Sequence, residues 1–246
     1  MRDSLPEVRT TRGFARVALA ACLWGVAVPP LSAGAPESAT PPNREPSTTP
    51  APVARSDGRH PGTLFLKRPA VVRDAVAAVG LLMATDDVRD PAYLAARRLV
   101  SDGVAQKMAI DPERLHKAWS RSPRDHQIAV LVALTQLGVR YIEGEESPYR
   151  QVDCSGLLWY AWRAAGVDMP RQAVSQLDKR MRIEPEAAVA GDVVGYGTHV
   201  HIYLGVDHAM VHAPFSGKMV KLKHMPPEQV AVSAWANPSN IATFRL

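Results

Sequence analysis

The chain has few cysteines: its 246 residues contain only two, Cys22 and Cys154. Cys22 lies in an N-terminal segment with the features of a secretion signal, and removal of that segment would leave Cys154 alone. A stabilising disulfide within the mature chain is then excluded. Secreted proteins that use cysteine for stability use it in pairs. A lone cysteine therefore indicates intermolecular pairing, a reactive thiol, or a buried side chain that acts as a small apolar group.

Long apolar runs are absent as well. Residues 1–35 carry four arginines, then a short apolar run from Val17 to Val28, then small residues up to Ala35. This order is typical of a secretory signal peptide, and its apolar part is too short to span a membrane. The alternative is a lipid anchor at Cys22, although most of the apolar run follows that residue. No later stretch could span a bilayer, so we expect a secreted protein.

Runs of basic residues are missing too, although the formal net charge is +5. Four arginines and two acidic residues precede position 36, so the mature chain is nearer +3. Such a charge gives weak attraction to anionic polymers such as a cell wall. Without a basic cluster we expect no nucleic-acid partner, and we expect a monomer.

Proline is concentrated at one place, because nine of the 21 prolines lie between residues 29 and 61. Residues 36–62 therefore form a predicted disordered linker. Aliphatic residues at helical spacing predict a helical segment at 63–120, and residues 121–246 then form the main domain. The helical segment is interpreted in three ways: an independent hairpin, a wall-targeting unit, or a pro-segment that covers the cleft and restrains activity.

Candidate catalytic residues lie around Cys154, which opens an almost wholly apolar helix that Gly166 ends. Free N–H groups at a helix start favour a thiolate, so the pKa of this cysteine is expected to be lowered. The strand "HVHIYLG" places His199 and His201 on its polar face by two-residue alternation. A hairpin would bring His212, on the next strand, close to that face. A cysteine nucleophile with a histidine base and a third orienting group is thus available.

The same histidines permit a different interpretation. His199, His201, His208 and His212 include an H-x-H pair on one strand face, and three histidines with an open position would suit a catalytic zinc ion. A zinc-dependent hydrolase is therefore an alternative, although it leaves Cys154 without a role. The main interpretation needs no cofactor and no metal.

Three ordered segments resemble the NlpC-type cysteine peptidases, papain-like enzymes of bacterial cell-wall remodelling: "DCSGLLWYAWRAAGVDMPR", "GDVVGYGTHVHIYLG" and "MVHAP". The resemblance implies that Cys154 is the nucleophile, His199 the base and His212 the residue that orients it. It covers roughly residues 124 to 223.

The resemblance also implies an α+β papain-like fold, in which a buried catalytic helix packs on an antiparallel sheet after a helical segment. It makes Tyr141 a cleft residue and Ser155 a substrate contact, and we add His201 as a candidate substrate-binding residue. The sequence departs from the family pattern at His201 and Glu145, where glycines are usual. These departures bear on substrate fit more than on reaction type.

The implied function is hydrolysis of peptidoglycan stem peptides by a secreted thiol protease of the cell wall or periplasmic space. The implied bond joins γ-D-glutamate to a diamino acid, usually meso-diaminopimelate. A third hypothesis is a non-enzymatic wall-binding protein that keeps the fold. The Cys/His/His set argues against it, because a binder does not need these three residues.

Overall fold

The structure is a computed structural model and describes residues 68–242. The predicted signal peptide at 1–35, the linker at 36–62 and the anchoring alternative at Cys22 lie outside the described residues. None of the helices in 68–242 has the length and the apolar character needed to cross a membrane.

Four helices come first, and a fifth follows after three strands of two residues each. Their bounds are α1 Ala70–Thr85, α2 Pro91–Met108, α3 Pro112–Arg121, α4 Arg124–Thr135 and α5 Cys154–Ala164. Two short helices lie near the C-terminal end, α6 Pro227–Val230 and α7 Ser239–Ala242. Single turns of 3₁₀ helix occupy Ser175–Leu177, Lys179–Met181 and Pro185–Ala187.

The strands form two sheets. The small sheet has the order β1-β3-β2, from β1 Arg140–Tyr141, β2 Glu146–Ser147 and β3 Gln151–Val152. The larger sheet is antiparallel, with the order β4-β9-β5-β6-β7-β8. Its strands are β4 Arg182–Ile183, β5 Val193–Tyr196, β6 His199–Tyr203, β7 Ala209–His212, β8 Lys221–His224 and β9 Ala234–Ala236.

Helix α5 packs against this larger sheet. Leu157, Leu158, Ala161 and Trp162 of the helix are fully buried, and they share one apolar cluster with the inward-facing residues of β6. A helix that is apolar on most sides must be enclosed by other elements. The predicted α+β arrangement, with a buried helix on an antiparallel sheet after a helical segment, is confirmed.

The two strands predicted to carry the histidines are present as β6 and β7, but β4 and β9 were not predicted. Strand β9 has only three residues and lies between β4 and β5. Its segment has no extended two-residue alternation, so its pairing depends on the strands beside it rather than on a local pattern.

The helices of the segment before residue 121 share their core with the rest of the chain. The indole Nε1 of Trp119 donates a hydrogen bond to the carbonyl of Leu204 at 3.0 Å. On another face, the His224 Nε2 lies 2.9 Å from the carbonyl oxygen of Met108. Residues 68–120 are therefore packed against the sheet, and the domain boundary at residue 120 remains a prediction.

A buried ion cluster joins α4 to the start of β5. The ring of His126 is fully buried, with Nδ1 2.8 Å from Asp125 Oδ1 and Nε2 3.0 Å from Asp192 Oδ1. Its edge faces Trp162 of α5, with ring centroids 4.8 Å apart. The absence of a side chain at Gly191 makes space for His126, because a Cβ at position 191 would lie 2.7 Å from the His126 Cβ. The cluster thus connects the helix layer to the sheet.

This cluster predicts a pH-dependent stability. Burial opposes the charge on His126, but the two carboxylates outweigh it and raise the pKa to about 9. The ordinary pKa of histidine is about 6.5, so the stabilisation is complete below that pH and is lost as pH rises through 9. We expect the free energy of unfolding, measured with urea, to fall by on the order of 2 kcal/mol between pH 6 and 9.5.

The matched control for this measurement is His126→Gln, which keeps a polar side chain but cannot titrate. The variant should be less stable at pH 6 and should lose most of the difference from the wild type by pH 9.5. Equal pH dependence in the two proteins would contradict this account of His126.

Candidate active site

Asp153 fixes the start of the helix that carries Cys154. Its Oδ1 accepts a hydrogen bond from the Gly156 N–H at 2.6 Å, and its Oδ2 accepts one from the Gly144 N–H at 2.8 Å. A carboxylate that caps a helix in this way satisfies donors that have no partner within the helix. Gly156 is required by a close approach, because a Cβ there would lie 2.3 Å from the Glu145 carbonyl oxygen.

Arg171 supports this carboxylate from outside the helix. Its Nη1 and Nη2 donate to the two oxygens of Asp153 at 3.0 and 2.9 Å, and Nη1 also donates to Ser155 Oγ at 2.8 Å. Its Nε pairs with Glu146. The sequence reasoning did not single out Arg171. The available signal was an arginine soon after the helix, within the quoted segment "DMPR".

Two of the predicted histidines are in contact. His199 Nε2 lies 3.1 Å from His212 Nδ1, and their rings are nearly perpendicular. This contact leaves Nδ1 of His199 available for another group. His201 also belongs to the cluster: its ring stacks on His212 with centroids 5.0 Å apart, and its Nδ1 lies 3.2 Å from the Val194 carbonyl oxygen.

The thiol of Cys154 lies against β6, the strand that carries His199 and His201. The backbone N–H of Val200, the residue after His199, is directed at the sulfur. Within residues 68–242 no hydrogen bond joins the thiol to the His199 ring. Catalytic contacts are often loose in a free enzyme and tighten when substrate binds.

The predicted lowering of the cysteine pKa is wrong. Burial raises the pKa of the Cys154 thiol above its ordinary value, and the adjacent Asp153 charge adds to this effect. N–H groups of Val200, Ser155 and Cys154 itself oppose the rise, as a helix start should. They do not overcome the loss of water around a side chain that is only 8% exposed.

Burial acts in the opposite direction on the imidazoles. It lowers the pKa of His199 to about 4, with a further contribution from the Lys223 charge. The pKa values of His201 and His212 are lowered for the same first reason. At neutral pH the free protein therefore holds an uncharged thiol beside uncharged imidazoles. Such a ring can accept a proton, as a general base must.

The remaining candidates have definite places. Tyr141 of β1 is half-buried and close enough to Cys154 for the thiolate charge to raise the pKa of its phenol, after burial. Ser155 is buried, and its hydroxyl lies 3.2 Å from Asp153 Oδ1 and accepts from Arg171. The Ser155 hydroxyl therefore contacts Asp153 and Arg171, the two residues that fix the start of the helix. His208 is exposed and lies in a turn at positive φ, outside the cluster of His199, His201 and His212.

An open cavity of about 500 Å³ borders the histidine pair. It is lined by Tyr196, His199, His201, His212, Pro214, Phe215, Lys221, Lys223 and Gln229. All of these residues belong to β5 or follow it in the chain. No residue of the described part of the helical segment, 68–120, lines this cavity, so the structure gives no support to the idea that those residues cover it.

The histidine cluster could also bind a metal ion. One ligand nitrogen from each of His199, His201 and His212 lies within 4.8 Å of the others. Neutral imidazoles of this kind suit zinc. The sequence-based zinc hypothesis included His208, but His208 is not part of this cluster.

Comparisons with known proteins identify the region. Residues 138–236 match the model of the NlpC/P60 family. The bifunctional muramidase/DL-endopeptidase CwlT of Bacillus subtilis is 37% identical over 81 residues, which is 30% of this chain and 25% of that protein. The peptidoglycan endopeptidase RipA of Mycobacterium tuberculosis is 29% identical over 125 residues, 44% of this chain and 26% of that protein. The chain thus spans about a quarter of the length of these curated relatives.

Solved structures are also similar. NlpC1 of Trichomonas vaginalis has a TM-score of 0.42 at 27% identity, covering 46% of this chain and 44% of that one. RipD of M. tuberculosis, described as a non-catalytic NlpC/p60 domain protein adapted to peptidoglycan binding, has a TM-score of 0.38 at 22% identity, covering 47% of this chain and 98% of that one.

The region that carries Cys154, His199 and His212 lies within residues 138–236, which match the NlpC/P60 family model. The predicted family resemblance is confirmed. The roles of the individual site residues remain predictions.

The raised cysteine pKa can be checked by alkylation. We expect the rate of Cys154 modification by iodoacetamide, in a Cys22→Ser chain, to keep rising above pH 9, because the thiolate is the nucleophile. The pKa is taken from the shape of the pH profile and not from the absolute rate, because burial alone slows the reaction at every pH. The same chain in urea is the control and should show an ordinary thiol. A plateau below pH 7 would contradict the geometry described here.

Proposed function

We propose that the protein is a secreted cysteine peptidase that hydrolyses peptidoglycan stem peptides at the bond between γ-D-glutamate and a diamino acid, usually meso-diaminopimelate. The observation that carries the proposal is the contact between His199 and His212, together with the N–H of Val200, the residue after His199, that is directed at the Cys154 sulfur. The NlpC/P60 match supports it, as do relatives named as endopeptidases. The proposed place of action is the cell wall or periplasmic space.

In the first step the Cys154 sulfur attacks the scissile carbonyl carbon, while His199 Nδ1 accepts the thiol proton. A buried thiol with a raised pKa makes this transfer part of the attack, because no stable thiolate exists beforehand. The N–H groups around the helix start can donate to the developing oxyanion. As the C–N bond breaks, His199 returns the proton to the leaving amine and a thioester remains.

Water completes the reaction. His199 accepts a proton from the water as it attacks the thioester carbonyl, and the thiol leaves with that proton as the carboxylic acid is released. His212 orients the base throughout, because its Nδ1 can accept the proton of His199 Nε2–H and so leave Nδ1 of His199 unprotonated. The same contact stabilises the imidazolium that forms after proton transfer.

The zinc alternative has one specific observation in its favour, the close approach of three ligand nitrogens. Against it, the ammonium of Lys223 is near enough to lower the pKa of all three imidazoles, so it would also repel a metal cation. A zinc mechanism also gives no role to Cys154. We therefore propose the cysteine mechanism and treat metal dependence as a result that would reverse it.

The test is mass spectrometry of purified muropeptides incubated with the protein. We expect new termini at the γ-D-glutamyl to diamino acid bond. Cys154→Ala or His199→Ala should lower kcat by at least about 10⁴-fold, and the double variant should be no worse, because the two act as a unit. His212→Ala should cost less, since an orienting group does not itself take part in bond making.

Inhibitors and controls separate the alternatives. Iodoacetamide should abolish turnover and EDTA should leave it unchanged, whereas the opposite pattern would favour zinc. His208→Ala is the matched control, because His208 is exposed and outside the cluster. Retention of the chain on cell walls without any new product would support the non-enzymatic binder and refute the peptidase.

A further inference from the structure

Two lysines of β8 border the histidine cluster. Lys221 pairs across the sheet with His212, and Lys223 follows two residues later, opposite Met210. Residues two apart on a strand face the same side of the sheet. Both lysines line the cavity of about 500 Å³ that His199 and His212 also line. The cavity therefore has one wall with two positive charges.

Within residues 68–242 neither ammonium forms a salt bridge with a carboxylate. Burial lowers the pKa of Lys223, and the charge of Lys221 lowers it further. Lys223 also disfavours the protonated form of the catalytic imidazole. An unpaired cation pair at this position costs free energy in the free protein, and a bound anion would offset that cost.

The proposed substrate supplies suitable anions. A γ-glutamyl linkage uses the side-chain carboxyl group, so the α-carboxylate stays free a few bonds from the scissile carbonyl. A diamino acid on the other side of the bond carries carboxylates of its own. Lysine ammonium groups bind such oxygens through charge-assisted hydrogen bonds. The exposed rings of Tyr196 and Phe215 line the same cavity and can contact the apolar part of a peptide.

We propose that Lys221 and Lys223 form a carboxylate-binding subsite that recognises a free carboxylate next to the scissile bond. The inference rests on the proposed function for the identity of the ligand. It follows that the chain discriminates between stem peptides by amidation: a peptide with the free carboxylate binds well, and the same peptide with that group converted to a carboxamide binds poorly.

Binding is measured by calorimetry on the full chain carrying Cys154→Ala, so the result does not depend on turnover. Three synthetic stem peptides are compared at low ionic strength. The first has both carboxylates free, the second has the D-glutamate α-carboxylate amidated, and the third has the diamino acid carboxylate amidated. The peptide whose amidation weakens binding identifies which of the two carboxylates the lysines recognise.

Lys221→Met and Lys223→Met each remove one charge and keep most of the apolar stem. We expect each to raise the Kd of the fully charged peptide about 10-fold or more. Neither should change the Kd of the peptide that is amidated at the recognised position. Lys223→Arg keeps the positive charge and should retain carboxylate-dependent binding. If Lys223 had only a structural role, arginine at this position would not restore that binding. Lys117→Met is the matched control, on the exposed side of α3 and outside the cavity.

The inference is overturned if the lysine variants weaken the charged and the amidated peptides equally, or if neither amidation changes the wild-type Kd. The proposed function fails differently. If the wild type cleaves none of the three peptides while lysine-dependent binding persists, the subsite stands and the peptidase does not. If the peptides are cleaved without any carboxylate preference, the peptidase stands and the subsite does not.

Discussion

Exclusion of water from the place where Cys154 meets the histidines is the constraint on which the site depends. Burial is the largest influence on the thiol and on all three imidazoles, and it disfavours the charged form of each. The consequence is an uncharged resting site. In the proposed mechanism, charge then develops only during the reaction, when the thiol proton moves to His199. The His199–His212 contact and the N–H groups around the sulfur are in place before that charge develops, which is the condition for electrostatic stabilisation of a transition state.

This arrangement requires a rigid helix start. Asp153 is bound on one side by the N–H groups of Gly144 and Gly156 and on the other by Arg171, so one carboxylate ties a loop, a helix and a distant arginine together. The His126 cluster performs a comparable role deeper in the protein, between α4 and the start of β5. Both networks place charged groups where little water reaches, and each charge has hydrogen-bonded partners of opposite sign.

Much of the fold could be predicted from local patterns. The apolar helix from Cys154 and the alternation in "HVHIYLG" are periodic signals, and they placed His199 and His201 on one strand face. What could not be predicted depends on contacts between distant parts of the chain. Strand β9 is too short to show a periodic pattern. The role of Arg171 depends on its hydrogen bonds to Asp153, which lies 18 residues earlier in the sequence. The sign of the cysteine pKa shift was predicted wrongly, because sequence reveals the helix start but not how much water is lost around it.

His201 shows how a departure from the family pattern fits into the site. The usual residue there is expected to be glycine, and this chain has a buried imidazole instead, stacked on His212 and directed at the Val194 carbonyl. The ring contacts both members of the His199–His212 pair, edge-on to His199 and stacked on His212. Burial and the charge of Lys223 both lower the pKa of His199, and both keep its ring uncharged.

The claim that Cys154 and His199 are both uncharged in the free protein is tested most directly by an NMR titration of the His199 ring. The titration uses the intact free protein with the imidazole nitrogens labelled. The account predicts a neutral ring at pH 7, with its proton on Nε2 facing His212 and with a pKa near 4. A His199 ring that is protonated at pH 7, as in a preformed thiolate–imidazolium pair with Cys154, would contradict it.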